Sequence, residues 1–314
     1  MKLRDLISDY VTFRQSMGQK FTTFTNILKA FCKASGGDDI ETDQVNSDRV
    51  LSFLGQPTTC YWHLKYNALA GFYRYATSRN YILSSPLPTT VPKLPPRFVP
   101  YIYREDEVRR LLDATTSYRR THILLEPYTF RALLLLLYGA GLRISEALAL
   151  TVADVDLVAR QIVIQETKFY KSRIVPLGND LNDGMTRYAK RRRKEGHLSA
   201  PNARFFSGRS GDPLMIVTVQ QASRQLRCYA GIRREDGARY QPRIHDLRHA
   251  FAVNRLVAWY EAGADVQVLL PKLSTYLGHI SLDSTQIYLT MTPELLRQAC
   301  RRFERYANNG GPHE

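Results

Sequence analysis

Residues 130–177 read FRALLLLLYGAGLRISEALALTVADVDLVARQIVIQETKFYKSRIVPL. The first nine, 130–138, are almost continuously apolar and too long for an ordinary strand, so they read as a buried helix. Gly139-Ala140-Gly141 then breaks it, with two glycines in three residues. A short second helix, 144–150, begins just after Arg143. Two stretches with strand character follow, 161–166 and 173–177, around the polar turn Thr167-Lys168-Phe169-Tyr170-Lys171-Ser172. The segment predicts a mainly α protein with a small antiparallel β element, an α+β arrangement.

Upstream, REDEVRRLLDA at 104–114 reads as one more helix, and residues 84–100 read SSPLPTTVPKLPPRFVP. Six prolines there exclude helix and central strand and predict an extended, semi-rigid linker. Before the linker the pattern is helical. Leu3, Leu6, Ile7, Tyr10 and Phe13 recur at helical spacing, as do Phe24, Ile27, Leu28, Phe31 and Cys32 after a capping Thr22 or Thr23. A shorter helix covers Val50, Leu51 and Leu54, and a fourth covers 58–81 with Tyr66, Leu69, Phe72 and Tyr73 on one face. Lys65, Arg74 and Arg79 fall on or near that helix, as a solvated face or as a contact surface for a polyanion. The boundaries expected are a helical domain at 1–83, a linker at 84–100, a second domain at 101–292, and a tail helix with a disordered end at 293–314. In the tail Leu295, Leu296, Ala299, Phe303 and Tyr306 fall on one amphipathic face, suited to its own domain or to a neighbouring protomer.

With 314 residues and 44% apolar content, the chain can bury a sizeable core. It has no apolar run of membrane-spanning length and no signal peptide at its start, so a cytoplasmic location without a membrane partner is expected. Cys32, Cys60, Cys228 and Cys300 form no Cys-x-x-Cys pair and have no histidine at zinc-motif spacing, so neither a metal nor a disulfide is expected. The net charge is +15, of which residues 1–93 carry +4. The excess is therefore distributed, not confined to a tail, and points to a polyanion whose phosphates supply much of the affinity.

Three separated segments hold residue types suited to phosphoryl transfer: Gly141-Leu142-Arg143-Ile144-Ser145-Glu146, His245-Asp246-Leu247-Arg248-His249, and Leu277-Gly278-His279 with Tyr288 nine positions on. Arginine forks bind phosphate oxygens bidentately, histidines carry protons near neutral pH, and a tyrosine can act as a covalent nucleophile. Singly, each has a plainer explanation. Arg143 suits the end of the preceding helix, the histidine cluster suits a satisfied surface, and Tyr288 suits core packing. Order and spacing taken together carry the case.

Over nearly all of residues 100–290 the chain resembles the tyrosine recombinase, or phage integrase, family. The Gly-x-Arg-x-x-Glu context holds Arg143 and Glu146, His-x-x-Arg holds His245 and Arg248, and Leu-Gly-His precedes Tyr288. Thr-Lys168-Phe-Tyr-Lys171-Ser-Arg-Ile-Val-Pro-Leu resembles the lysine-bearing β-turn between the first two motifs. The resemblance implies that Tyr288 attacks the scissile phosphate and forms a 3′-phosphotyrosyl bond while Arg143 and Arg248 clamp its non-bridging oxygens. It implies further that Lys168 protonates the departing 5′-oxygen, His245 assists proton transfer at the tyrosine, and His279 donates to the phosphate. Glu146 would support its neighbours, and His249 would act in the site or pack beneath it. Lys171 shares the turn with Lys168. The register against Val-Pro-Leu favours Lys168 as the acid, leaving Lys171 and Arg173 with Lys65 and Arg74 as DNA contacts.

The family also implies a helical core-binding domain and a catalytic domain closing as a C-shaped clamp on double-stranded DNA. It implies a homotetramer on DNA, with or without a sister recombinase, exchange through a Holliday junction, and service to a mobile genetic element. Rejoining draws on the phosphotyrosyl bond, so no cofactor is expected. Neither an ATP-binding Gly-x-x-x-x-Gly-Lys-Ser/Thr loop nor an acidic cluster for two metal ions occurs in the sequence. A resolvase or topoisomerase would use the same site. A non-catalytic accessory protein of this fold is the alternative from another class, and an RNA-binding reading has no aromatic RNA-binding signature behind it.

Overall fold

The structure, a computed structural model, describes residues 1–57, 59–95, 99–117, 125–165, 172–197, 200–238, 240–279 and 281–290, with Cys300 and Glu304 beyond them. Of Asp283 and Thr290 only the backbone is described. The chain divides into two compact units, Met1–Phe98 and Val99–Glu314.

The first unit is built from α1 (Leu3–Ser16), α2 (Thr22–Ser35), α3 (Ser47–Leu54) and α4 (Cys60–Ser78), with a short 3-10 turn at Thr42–Gln44. Leu3, Leu6, Leu28, Phe31, Leu69 and Phe72 are fully buried between the helices, which is where their helical spacing directs them. Thr59 caps α4 by accepting from the Trp62 amide at 3.2 Å. The start of α2 differs from expectation. Its cap position is Phe21, in the left-handed region at φ 45°, with no side-chain cap. Thr22 and Thr25 instead donate their hydroxyls back to the carbonyls of Lys20 and Phe21. The ring of Phe21 packs edge-on to Tyr10 and Phe24, which holds a conformation that costs an ordinary residue about a kcal/mol.

In the second unit α5 (Glu105–Ser117) and α6 (Pro127–Gly139) lead into α7 (Ile144–Ala149). Helix α6 starts with proline at its first turn, where the missing amide costs nothing. A sheet follows, formed by β1 (Val155–Asp156), β2 (Gln161–Ile164) and β3 (Arg173–Pro176) in the order β1-β2-β3, antiparallel throughout. The register pairs Ile162 with Val175 and Ile164 with Arg173. Ile162, Ile164 and Val175 are buried, whereas Ile174 is 59% exposed, the alternation of a strand with one wet face. The remainder is helical: α8 (Asn179–Lys194), α9 (Ile216–Tyr229), α10 (Asp246–Glu261), α11 (Val266–Leu277) and α12 (Asp283–Thr290). Between α8 and α9 a loop is closed by a bridge pairing Ser207 with Pro213.

Helices α5, α8 and α10 all pack on α6. That enclosure explains a helix apolar on nearly every face, with Arg131 the charged residue on the side that remains open. The tail expected to be helical, with Leu295, Leu296, Ala299, Phe303 and Tyr306, lies outside the described residues. Among the described residues no helix is long and apolar enough to cross a membrane.

Candidate active site

The site is assembled where three helix termini meet, and glycine makes two of the turns possible. Helix α6 ends at Gly139 with Ala140 as its cap, and Gly141 follows at φ +61°. A Cβ there would lie 2.4 Å from Cδ1 of Phe251 on α10, so both the backbone and the packing require glycine. The turn places Arg143 at the cap position of α7, and Glu146 in the first turn accepts the Arg143 amide at 3.0 Å. At the end of α11, Gly278 turns at φ +65°, leaving the carbonyls of Leu277 and Gly278 to be satisfied.

Arginines supply the missing donors. Arg143 donates from Nη2 to the Gly278 carbonyl at 3.0 Å and from Nη1 to the Leu277 carbonyl at 3.4 Å. Arg248, in the first turn of α10, donates to the Leu277 carbonyl at 2.6 Å and to the Gly141 carbonyl at 2.7 Å. Helix carbonyl ends carry partial negative charge, so they suit cations. Arg248 is only 2% exposed, and burial with the nearby Arg143 pulls its guanidinium down to about 10, still charged at neutral pH. Arg143 keeps 34% of its side chain open. Of the three arginines around Glu146 it is the most open to a ligand.

Glu146 is the counter-charge. Its Oε1 accepts from Arg143 Nη1 at 2.8 Å and Arg173 Nη1 at 3.1 Å, and its Oε2 accepts from Arg173 Nη2 at 2.8 Å. Burial opposes ionisation of this carboxyl, but the bonds from Arg173 and Arg143 outweigh it and hold the group down at about 2.

The tyrosine arrives on α12. Tyr288 is 2% exposed, and its hydroxyl lies 3.1 Å from Nδ1 of His249. Burial pushes the phenol up, against the pull of Arg248 and Arg143. His249 also meets the ring of His245 edge-on at 5.0 Å. His279, just past Gly278, has its Nδ1 2.7 Å from Oγ1 of the fully buried Thr285 and its ring stacked on Tyr288. Burial and adjacent cations hold His245 and His249 down at about 4 and His279 at about 3, so all three are neutral at physiological pH.

The structure thus brings together Arg143, Glu146, His245, Arg248, His249, His279 and Tyr288. Three expectations change. His249 rather than His245 meets the tyrosine hydroxyl, because one helical turn carries it past the cap position that His245 occupies. Arg173 is turned inward, with Nε donating to the Tyr276 carbonyl at 2.8 Å and both Nη atoms on Glu146, and its side chain is only 9% exposed, so it faces Glu146 and not an open DNA surface. Lys65 donates to the Phe53 carbonyl at 2.6 Å and rests over the Phe53 and Tyr61 rings, a cation at a helix end. Arg74 is exposed on α4. Lys168 and Lys171 lie outside the described residues. Sequence reasoning missed Thr285, and it missed a signal for Arg173. Arg173 and Val175 are two apart on one strand and so share its inward face.

Residues 102–294 match the Phage integrase family. The chain is 34% identical over 307 residues to y4rB of Sinorhizobium fredii, named as an integrase/recombinase, covering 96% of this chain and 97% of that protein. It is 34% identical over 239 residues to the tyrosine recombinase XerD of Mycobacterium leprae, covering 74% and 69%. The fold is shared with the Tn1549 transposon integrase bound to transposon right-end DNA, with TM-score 0.68, 15% identity, and 98% and 100% of the two chains covered. It is shared also with a lambda integrase dimer bound to a core site, with TM-score 0.63, 17% identity, and 90% and 96% covered. The chain belongs to the phage integrase family of tyrosine recombinases, and its class is that of a site-specific DNA recombinase.

Proposed function

We propose that the protein cuts duplex DNA with Tyr288 and rejoins it to a new partner strand. The observation that carries this reading is the Tyr288 hydroxyl 3.1 Å from a neutral imidazole, beside two buried or half-buried arginines. In the tautomer protonated at Nε2, Nδ1 of His249 accepts the phenol proton as Oη attacks phosphorus. The Oη–P bond forms on the 3′ side, the P–O5′ bond breaks, and Lys168, or Lys171, returns a proton to the departing oxygen. Arg143 and Arg248 have further N–H groups beyond those on the helix carbonyls, and these bind the non-bridging oxygens. His279 donates to the same phosphate. The phosphotyrosyl ester keeps the energy of the broken bond, so the second strand's 5′-hydroxyl reverses the step.

Tyr288 must leave its buried seat to reach DNA, so duplex binding and a shift of α12 precede chemistry. Double-stranded DNA is the substrate, held by the basic surface, with the first unit as a second binding element. Four protomers exchange strands through a Holliday junction, and the reaction serves a mobile genetic element in the cytoplasm. The naming of y4rB as an integrase/recombinase and the fold shared with a transposon integrase support that setting.

The test is relaxation of a supercoiled plasmid in EDTA without ATP, with SDS trapping covalent protein–DNA adducts. Relaxation and an adduct in the wild type, both lost in Tyr288→Phe, are expected. Adducts persisting in Tyr288→Phe would remove the assigned nucleophile. Tight duplex binding with no adduct on target DNA would instead favour an accessory protein.

A further inference from the structure

Arg173 makes as many side-chain hydrogen bonds inside the site as Arg143 and more than Arg248, yet the reaction just described gives it no part. All three of its nitrogens are used: Nε on the Tyr276 carbonyl at 2.8 Å, Nη1 and Nη2 on the two oxygens of Glu146 at 3.1 and 2.8 Å. Its side chain is 9% exposed. It therefore fastens three separated segments: β3, the first turn of α7, and the last turn of α11.

We propose that Arg173 is a positioning residue for cleavage, keeping the Glu146 carboxylate from claiming the arginine that binds the scissile phosphate. Glu146 is 8% exposed and ionised, and a buried carboxylate takes the best cation it can reach. Arg173 meets it fork to fork, the strongest geometry available to such a pair. Arg143 is then left with a single side-chain bond to Glu146 and its remaining donors turned elsewhere. Without Arg173, the carboxylate would close on Arg143, and on Arg248, whose Nη1 is already 4.0 Å away. Three arginines against one carboxylate leave two positive charges, which matches the charge a phosphodiester develops as a fifth oxygen bonds to phosphorus.

A second observation is independent of charge. A Cβ on Gly278 would lie 2.7 Å from Arg173 Nη1 and 2.9 Å from its Cζ. The guanidinium therefore lies flat against the turn whose carbonyl holds Arg143 and after which His279 follows. Arg173 also closes the last pair of the β2–β3 ladder, opposite Ile164. One side chain thus ties the start of β3 to the arginine pair and to the turn before His279.

The inference rests on the cleavage reading above, and the test separates the two. A nicked suicide duplex bearing the target site is incubated in single turnover with wild type, Arg173→Ala, Arg173→Lys and Tyr288→Phe, and adduct formation is timed. Duplex affinity is measured against salt in parallel. Arg173→Ala should bind DNA within about twofold of wild type with an unchanged salt slope, and form adduct roughly 100-fold more slowly. Millimolar ethylguanidinium should restore at least tenfold of that rate in Arg173→Ala and leave wild type unaffected. Arg173→Lys, which keeps charge and fold but can reach only one partner, should stay slow without rescue. Arg173→Lys therefore decides the matter should Arg173→Ala fail to fold. Wild-type rates in Arg173→Lys, or a salt slope lower by about one, the mark of a lost phosphate contact, would overturn the inference. Adduct absent from wild type, as from Tyr288→Phe, would overturn the cleavage reading along with it.

Discussion

Glu146→Gln separates the charge of the site's arginine-bound carboxylate from its shape. In the folded chain the carboxyl sits at about 2, against an ordinary value of 4.5. A shift of that size corresponds to about 3 kcal/mol in favour of the folded state, of which bonds to Arg173 and Arg143 are the source once burial has been overcome. The folded value is depressed, so this contribution is complete above pH 4.5 and is lost as pH falls toward 2. By pH 3 about 2 kcal/mol of it should be gone. Glutamine cannot take part in that titration, and its amide nitrogen would face arginine donors. The variant should therefore be less stable than wild type by about 3 kcal/mol at pH 7, and the gap should close to about 1 at pH 3. Urea unfolding at matched ionic strength, at pH 7, 5, 4 and 3, reads this directly as the difference between the two proteins, and other carboxyls cancel. A gap that stays constant from pH 7 to 3 would refute the reasoning, because Glu146 would then owe its place to packing alone.

Other expectations follow from single contacts. Because His249 is held down at about 4, single-turnover adduct formation should stay level from pH 8 to about 5 and fall only below that. A midpoint near 6.5 would show a base outside this pocket. Thr285→Val keeps volume but removes the hydroxyl on His279 Nδ1. It should cost about 1 kcal/mol by thermal unfolding and slow adduct formation roughly tenfold as His279 loses its orientation. Gly141→Ala drives a Cβ to 2.4 Å from Phe251 at a positive φ, and should destabilise by at least about 2 kcal/mol, read as a lowered urea midpoint with unchanged slope.

The fold was legible where side-chain period and glycine carried it. The run 130–138, the glycine break and the paired strands sit in the structure as the pattern predicts. The two-residue strand β1 was not legible, being too short to show alternation. The start of α2 was misread because a ring cluster around Phe21 overrides the preference of a threonine for the cap. In the site, spacing alone could not say which histidine faces Tyr288. That depends on where α10 begins, and a shift of one turn exchanges His245 for His249. Nor could composition distinguish an arginine facing DNA from one facing Glu146. Arg173 reads as basic surface until strand alternation places it beside the buried Val175.

The burial of Tyr288 has a consequence for how such a protein can live among long DNA molecules. A chain carrying +15 will dwell on any duplex, and nearly all of those encounters are at the wrong sequence. On the proposed mechanism, in which the hydroxyl is reached only after α12 has moved, dwelling and cutting are separate events. Search can be fast and indiscriminate while commitment waits on a conformational toll that only the right site repays. Loosening α12 would then raise nicking at chance sites without changing how tightly the protein holds DNA.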